Sequence, residues 1–528
     1  MTSARPATPT LVSAGLVLHA FLTGTAALVL STAWAAPKRG GEVVFAPEAQ
    51  VAGLDMHFSS AISTRNIAMH IYECLLTRDE SNGPIPELAE RIVTSAEGLT
   101  YTFPLRKGVL FDNGKEMTSA DVLASFQRYE KVGIDRKILE PVASMAATEK
   151  YTFQIKLKHP VPTFIEDLSS FGVPVVIMPA EETSKPAGKT EPYIGTGPYQ
   201  FVEWVPDSHV KLKRFDRYKV NEAFPDRTGF GGRKIAYFDT VTFRIVTEGG
   251  ARVAGLEKGE FQAVEDVPTK AAERLRGNKS IVLYPLERFW IHIAIPNHAK
   301  PPTDNLLVRR AMQVGLNMEE IMEAATDGAY KLQAGYQYPG NPYYTEAGKE
   351  RYDVRDKEQA KRLLREAGYK GEEVVLITNT DYQSMYNASL VMAEQLKALG
   401  MNVKVEVSDW PTVRKKREDP KYPWNIYFTG FGTGPAVGAA AAIRDLLPPT
   451  SLQYSPGDPV LTQAYEDMVN RPTLEERKAA FARAQARLYE QVHAIKFGDL
   501  TKVQAARSQV KGFKPYRIPR LWGVWFEE

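Results

Sequence analysis

A single cysteine in 528 residues excludes an internal disulfide framework and any metal cluster built on thiolates. Charge of either sign is not in excess. The 66 basic residues meet 63 acidic ones, so the balance gives no reason to expect nucleic acid or an anionic membrane surface as a partner. Long hydrophobic runs are confined to the start. Leu11 to Leu30 is mostly apolar and uncharged, Arg5 precedes it, and Ala33-Trp34-Ala35 follows, which is the order of a cleaved export signal over residues 1–35. A membrane anchor is the rival reading, since the run approaches the length of a span. Ser13, Gly15, His19, Thr23, Gly24 and Thr25 weaken it in that role. Beyond Ala36 no second run is long enough to cross a bilayer, so the mature chain is expected to be soluble and exported. Cys74 sits in the apolar stretch from Ile71 to Leu76, reads as helical core, and is far from the cleavage site, so no lipid anchor is expected. Free export of this kind points to a Gram-negative periplasm.

Catalytic motifs are missing too. There is no G-x-S-x-G elbow and no H-E-x-x-H pair. The glycine-rich run from Gly430 to Pro435 lacks the lysine that would touch a phosphate. His292 and His298 straddle a proline with no metal-ligand spacing, and Glu166-Asp167 reads as solvated surface. No catalytic residue, cofactor or metal is assigned.

What is present is an ordinary globular composition, 44% hydrophobic, with chain enough for about three domains. Gly41 to Phe45 reads as a first strand, and residues 60–76 as a helix. From Gly98 to Tyr129 the order is strand, turn, short apolar run, turn, capped helix. Leu99, Tyr101, Phe103 and Leu105 alternate with polar positions, and Pro104 on the outer set argues for an edge strand. Asp112-Asn113-Gly114 turns the chain, and Thr118 with Asp121 forms a capping box. Strands are expected over 151–157, 173–178, 199–204 and 239–246, and a helix from Ala251 stopped by Gly259. Helices then dominate, over 306–316, 357–367, 385–399 and 474–491. Val374–Thr378, the helix after it and Val403–Val407 make a βαβ unit, and 425–429 is a third strand candidate beside it.

The block GLTYTFPLRKGVLFDNGKEMTSADV, from Gly98, resembles a signature of the extracytoplasmic solute-binding proteins, family 5, that serve peptide and nickel ABC importers. Asp112-Asn113-Gly114 stands where that family usually reads His-Asp-Gly. IGTGPY from Ile194, LEKGEFQAVEDVP from Leu256, VRRAMQVGLNMEEIMEAATDGAY from Val308 and RYDVRDKEQAKRLLREAGY from Arg351 extend the resemblance over nearly the whole mature chain. It implies an α/β fold of two lobes with an extra subdomain inserted in lobe one. The expected bounds are 36–283 for lobe one, with the insertion at about 81–190, 284–497 for lobe two, and 498–528 returning to lobe one. It further implies capture of a small molecule or peptide and delivery to an inner-membrane permease with its ATPase, by a protein expected to be monomeric.

In open α/β sheets ligands bind beyond the carboxyl ends of parallel strands. Those ends in the second lobe are 379–382, 408–410 and 430–435. They offer Tyr382, Trp410, Phe431, the Thr433 hydroxyl, and the backbone of Gly432 and Gly434, where a ligand can approach closely. From lobe one, the loop at 53–65 resembles the family's L-D-P-H loop, with Met56 for the proline. It supplies His57, Phe58 and Arg65, each also readable as structural or solvated, and the crossing segment adds Trp290. Peptide binders of the family often carry an acid near the third loop that pairs with a ligand's amino terminus. Gly430 to Ile443 has no charge, so a typical oligopeptide is disfavoured unless Asp381 or Asp409 supplies it. A neutral, sugar-like or anionic solute, an opine or a metal chelate are the alternatives, and a secreted hydrolase is a remoter one.

Overall fold

The computed structural model describes residues 37–527 except 60, 173, 433–438 and 449–450. The expected signal segment therefore lies outside the described residues. Among the described residues no helix is long and apolar enough to cross a membrane.

Two long antiparallel strands, Ile281–Pro296 and Ile495–Arg507, run through the centre of an eleven-stranded mixed sheet. On one flank follow Ile426–Phe431, Glu373–Asn379 and Asn402–Ser408, with the last two parallel to each other and the first two also parallel. On the other flank follow Ala263–Val264, Glu42–Ala46, Thr240–Arg244, His209–Arg214 and Tyr199–Val205. The register of the two central strands slips between Leu286 and Trp290, where one flank gives way to the other. The βαβ unit forms as the alternation of Val403, Val405 and Val407 predicts. Its helix, Gln383–Ala398, buries Met385, Met392 and Leu396 against the sheet. Helix Gly249–Lys258 ends where Gly259 turns left-handed at φ +84°, a conformation that costs a side-chain-bearing residue more than glycine.

A separate four-stranded sheet, in the order Val93–Thr94, Thr100–Pro104, Thr152–Leu157, Val142–Glu149, has its own core. Phe126 packs on Phe153 with ring centroids 5.0 Å apart, and Phe103 lies 6.2 Å from the same ring. The capping box holds: the Thr118 amide and hydroxyl both donate to Asp121 at 2.9 Å. Pro104 is not on an edge strand. Thr100–Pro104 is flanked on both sides, but Val93–Thr94 pairs only with Tyr101 and Thr102, so no ladder bond is demanded of the proline nitrogen. The helix expected over 60–76 is also shorter. It spans Ile62–Ala68, and the chain then extends so that Cys74 bridges to Val176. Cys74 is core, as expected, but not helical.

Buried charges tie these layers. Lys234 lies 3.0 Å from Glu73 and 2.5 Å from Glu87, all three essentially without solvent exposure. Burial pushes the Glu87 carboxyl up to about 7 against the pull of Lys234.

Candidate functional site

The carboxyl ends of the three neighbouring strands and the first central strand meet at a cavity of about 160 Å³. Tyr382 opens the helix after Glu373–Asn379, Trp410 opens Trp410–Glu418, and Phe431 ends Ile426–Phe431. Each sits there because a strand hands over to a turn at that residue. Asp409 caps the Trp410 helix, accepting the Thr412 amide at 2.7 Å. Tyr382 stands edge-on to Trp410 at 5.2 Å and to Trp290 at 5.6 Å, and Trp410 stacks on Tyr427 at 6.2 Å. Trp290, Tyr382, Trp410, Phe431, Gly432 and Arg65 thus line one cavity.

The glycines serve another end than ligand approach. A Cβ on Gly430 would meet the Trp290 ring at 2.7 Å, and one on Gly432 would collide with the Arg517 guanidinium. Their missing side chains make room for an indole and a cation of the wall. Thr433 and Gly434 lie outside the described residues.

His57 and Phe58 are placed elsewhere. His57 is fully buried, bonded to the Val176 carbonyl at 2.9 Å and edge-on to Tyr129, and burial lowers its pKa to about 4. Phe58 is exposed beside Gly188. Neither lines the cavity. Arg65 is not a solvated helix residue. It is buried, donates to the Gly172 carbonyl, and its pKa falls to about 9 through burial and then through repulsion by Arg517.

Sequence reasoning missed most of the charge. Arg414 and Arg417 line the cavity from the Trp410 helix, each donating to Glu418 at 3.0 Å. Burial raises the Glu418 carboxyl, but the two guanidinium groups outweigh it and lower its pKa. Asp135 faces the cavity and is held by Arg444, which also reaches Asp167 at 3.4 Å. Asp167 is therefore not the free surface acid its sequence position suggests. Asp445 and Arg517 complete the wall. The two acids expected to replace a loop carboxylate are otherwise engaged: Asp381 accepts the amides of Gln50 at 2.9 Å and Trp410 at 3.1 Å, and Asp409 is the cap. Behind the aromatic wall the Lys502 ammonium pairs with Glu48 and lies 4.7 Å from the Trp290 ring centroid and 5.6 Å from that of Tyr382. Glu48 in turn donates its amide to Glu265 at 3.0 Å, and Asn66 holds the other Glu265 oxygen at 2.7 Å.

Among the described residues no group of three metal-ligating side chains converges. What the cavity can do is hold a polar solute between aromatic faces and guanidinium groups.

A mixed α/β sheet carrying a second small sheet, with a cavity at its strand ends, is the two-lobed fold of the periplasmic binding proteins. The oligopeptide-binding protein AppA from Bacillus subtilis, solved with a nonapeptide, superposes with a TM-score of 0.80 at 20% identity, over 93% of this chain and all of that one. AgaA from A. tumefaciens R10, solved with agropinic acid, gives 0.78 at 22% over 92% and 99%. The chain belongs to the bacterial extracellular solute-binding proteins of family 5, whose model matches residues 83–444. It is similar, at 26% identity over 97% of its length and 98% of the relative's, to a probable peptide ABC transporter periplasmic-binding protein of Sinorhizobium fredii. It is 26% identical to the dipeptide-binding protein of Escherichia coli K12 over 81% and 83% of the two chains.

Proposed function

We propose that this protein is the periplasmic substrate-binding component of an ABC importer. It captures a small solute between two closing lobes and delivers it to an inner-membrane permease, whose ATPase supplies the energy. The observation that carries the reading is the cavity walled by Trp290, Tyr382, Trp410 and Phe431 at the strand ends, with arginines converging on it. Its relatives, named as peptide and dipeptide binders of such transporters, support the same role.

The lobes are taken as 36–283 and 284–497, with 498–528 returning to the first and the insertion near 81–190. The register slip between Leu286 and Trp290 lies close to the first of these boundaries, where a hinge needs to absorb backbone rotation. Affinity then follows from the solute's preference for the closed form. Export through a cleaved leader, a monomeric state and the lack of turnover belong to the same reading. The test is native mass spectrometry of protein purified from the periplasm without refolding. A small molecule released unaltered on denaturation supports capture, whereas a chemically converted product refutes it in favour of an enzyme.

A non-peptide solute is the second reading. The described part of the third loop brings no acid to the cavity, and Asp381 and Asp409 are spent on backbone amides, so a peptide would have to seat its amino terminus elsewhere in the wall, at Asp445.

A further inference from the structure

The charges around the cavity do not cancel once their partners are assigned. Arg414 and Arg417 share Glu418, and Asp135 is taken by Arg444. Three charged side chains are left. Arg65 gives one N–H to the Gly172 carbonyl and has no carboxylate within ion-pair distance among the described residues, and its Nε is buried without an acceptor. Arg517 makes no hydrogen bond or ion pair among the described residues. Its guanidinium lies 5.8 Å from the Phe289 ring centroid, and its Nε is also buried without an acceptor. Asp445 is the remaining acid, likewise without an ion pair or side-chain hydrogen bond among the described residues, and it faces the field of Arg444 first, then of Arg65 and Arg417.

Donors are in excess in another sense. The indole Nε1 atoms of Trp290 and Trp410, in the same wall, have no acceptor among the described residues. A buried donor or charge left without a partner is costly, and a ligand that supplies the partners recovers that free energy on binding. Gly432 is bare so that Arg517 fits there, which makes the cation part of the wall.

We propose that the cavity selects a small solute bearing two carboxylates and one amino group, with the carboxylates on Arg65 and Arg517 and the ammonium at Asp445. This rests on the solute-capture reading above. It adds a charge rule: two negative groups for each positive one.

The test uses the purified full-length mature protein in thermal-shift and calorimetric titrations with compounds matched in size and sorted by charge. Ala-Glu carries two carboxylates and an ammonium, Ala-Gln one of each, N-succinyl-alanine two carboxylates and no ammonium, and a disaccharide none. The amine-bearing dicarboxylate is expected to bind at least tenfold more tightly than the others. R517Q is expected to abolish its advantage over Ala-Gln. D445N is expected to weaken Ala-Glu tenfold or more while leaving N-succinyl-alanine unchanged. A tightest ligand that is neutral, or an unchanged ranking in two folded variants, overturns the charge rule. Tight binding of the neutral sugar refutes the rule but leaves solute capture standing. Failure of every class to bind overturns the charge rule, and the native mass spectrometry above then decides solute capture separately.

Discussion

Arg444 is the residue whose removal the structure prices most directly. Its guanidinium, 2% exposed, joins the short helix Ala441–Arg444 to Asp135 and Asp167, carboxylates on segments bordering the small four-stranded sheet. Arg444→Ala leaves Asp135 buried without a counter-ion. Burial already pushes the Asp135 carboxyl up to about 8 against the pull of Arg444, so near pH 7 the acid can hold a proton. Below that pKa the variant loses the guanidinium's hydrogen bonds, on the order of 1–3 kcal/mol. Above it the wild-type pair is charged and the variant must protonate or strand Asp135, which adds about 1.4 kcal/mol per pH unit. Asp167 is nearer solvent and rehydrates. Chemical denaturation is therefore expected to show a loss of about 1–3 kcal/mol at pH 7 that grows between pH 8 and pH 9. A loss below about 0.5 kcal/mol at pH 7, or one that does not grow above pH 8, refutes the reasoning.

Trp410→Ala and Phe431→Ala are each expected to weaken binding by about 1–3 kcal/mol with the fold intact by circular dichroism; unchanged affinity in both removes these residues from the site. Gly432→Ala is expected to push Arg517 off its seat, lowering affinity while the melting temperature stays within a few degrees. Lys234→Met strands Glu73 and Glu87 and is expected to cost about 3–5 kcal/mol in chemical denaturation at pH 7, since Lys234 is the one cation paired with either acid among the described residues. His57, His70 and His292 are buried and neutral, with pKa lowered by desolvation to about 4, 3 and 4. The unfolded chain protonates them below about 6.5 and the folded one does not, so stability is lost as pH falls from about 6.5 toward 4, by roughly 3 kcal/mol per histidine. A melting temperature flat across that window contradicts this.

Much of the flank built from Ile426–Phe431, Glu373–Asn379 and Asn402–Ser408 was legible because its signals are local. Val403, Val405 and Val407 alternate, Gly400 stops a helix, and the strand ends at Tyr382, Trp410 and Phe431 converge by the rule for open sheets. The helix expected over 60–76 shows where locality fails. Apolar residues after Ala68 are equally compatible with a buried extended chain, and bridging to Val176 decided it. The cavity's charge was the least legible part. Arg414 and Arg417 sit on a polar helix whose default face is solvent, and Arg517 reaches the site from a segment with no periodicity. Only the pairing of Glu418, and the lack of a partner for Arg517 among the described residues, distinguish structural from available cations, and both are three-dimensional facts. One signal was present: Gly430, within a strand, and Gly432, just past its end, alternate around Phe431, the pattern of a wall that must admit large neighbours on one side.

The second long strand, Ile495–Arg507, returns through the middle of the sheet after most of the chain has been made. It seats Lys502 on Glu48, a pair 454 residues apart in sequence, and Arg517 follows it to the cavity. Neither wall nor charge of the cavity is complete until that strand is inserted. A polypeptide still being synthesised therefore carries an unfinished cavity, and binding competence begins only where the last strand docks.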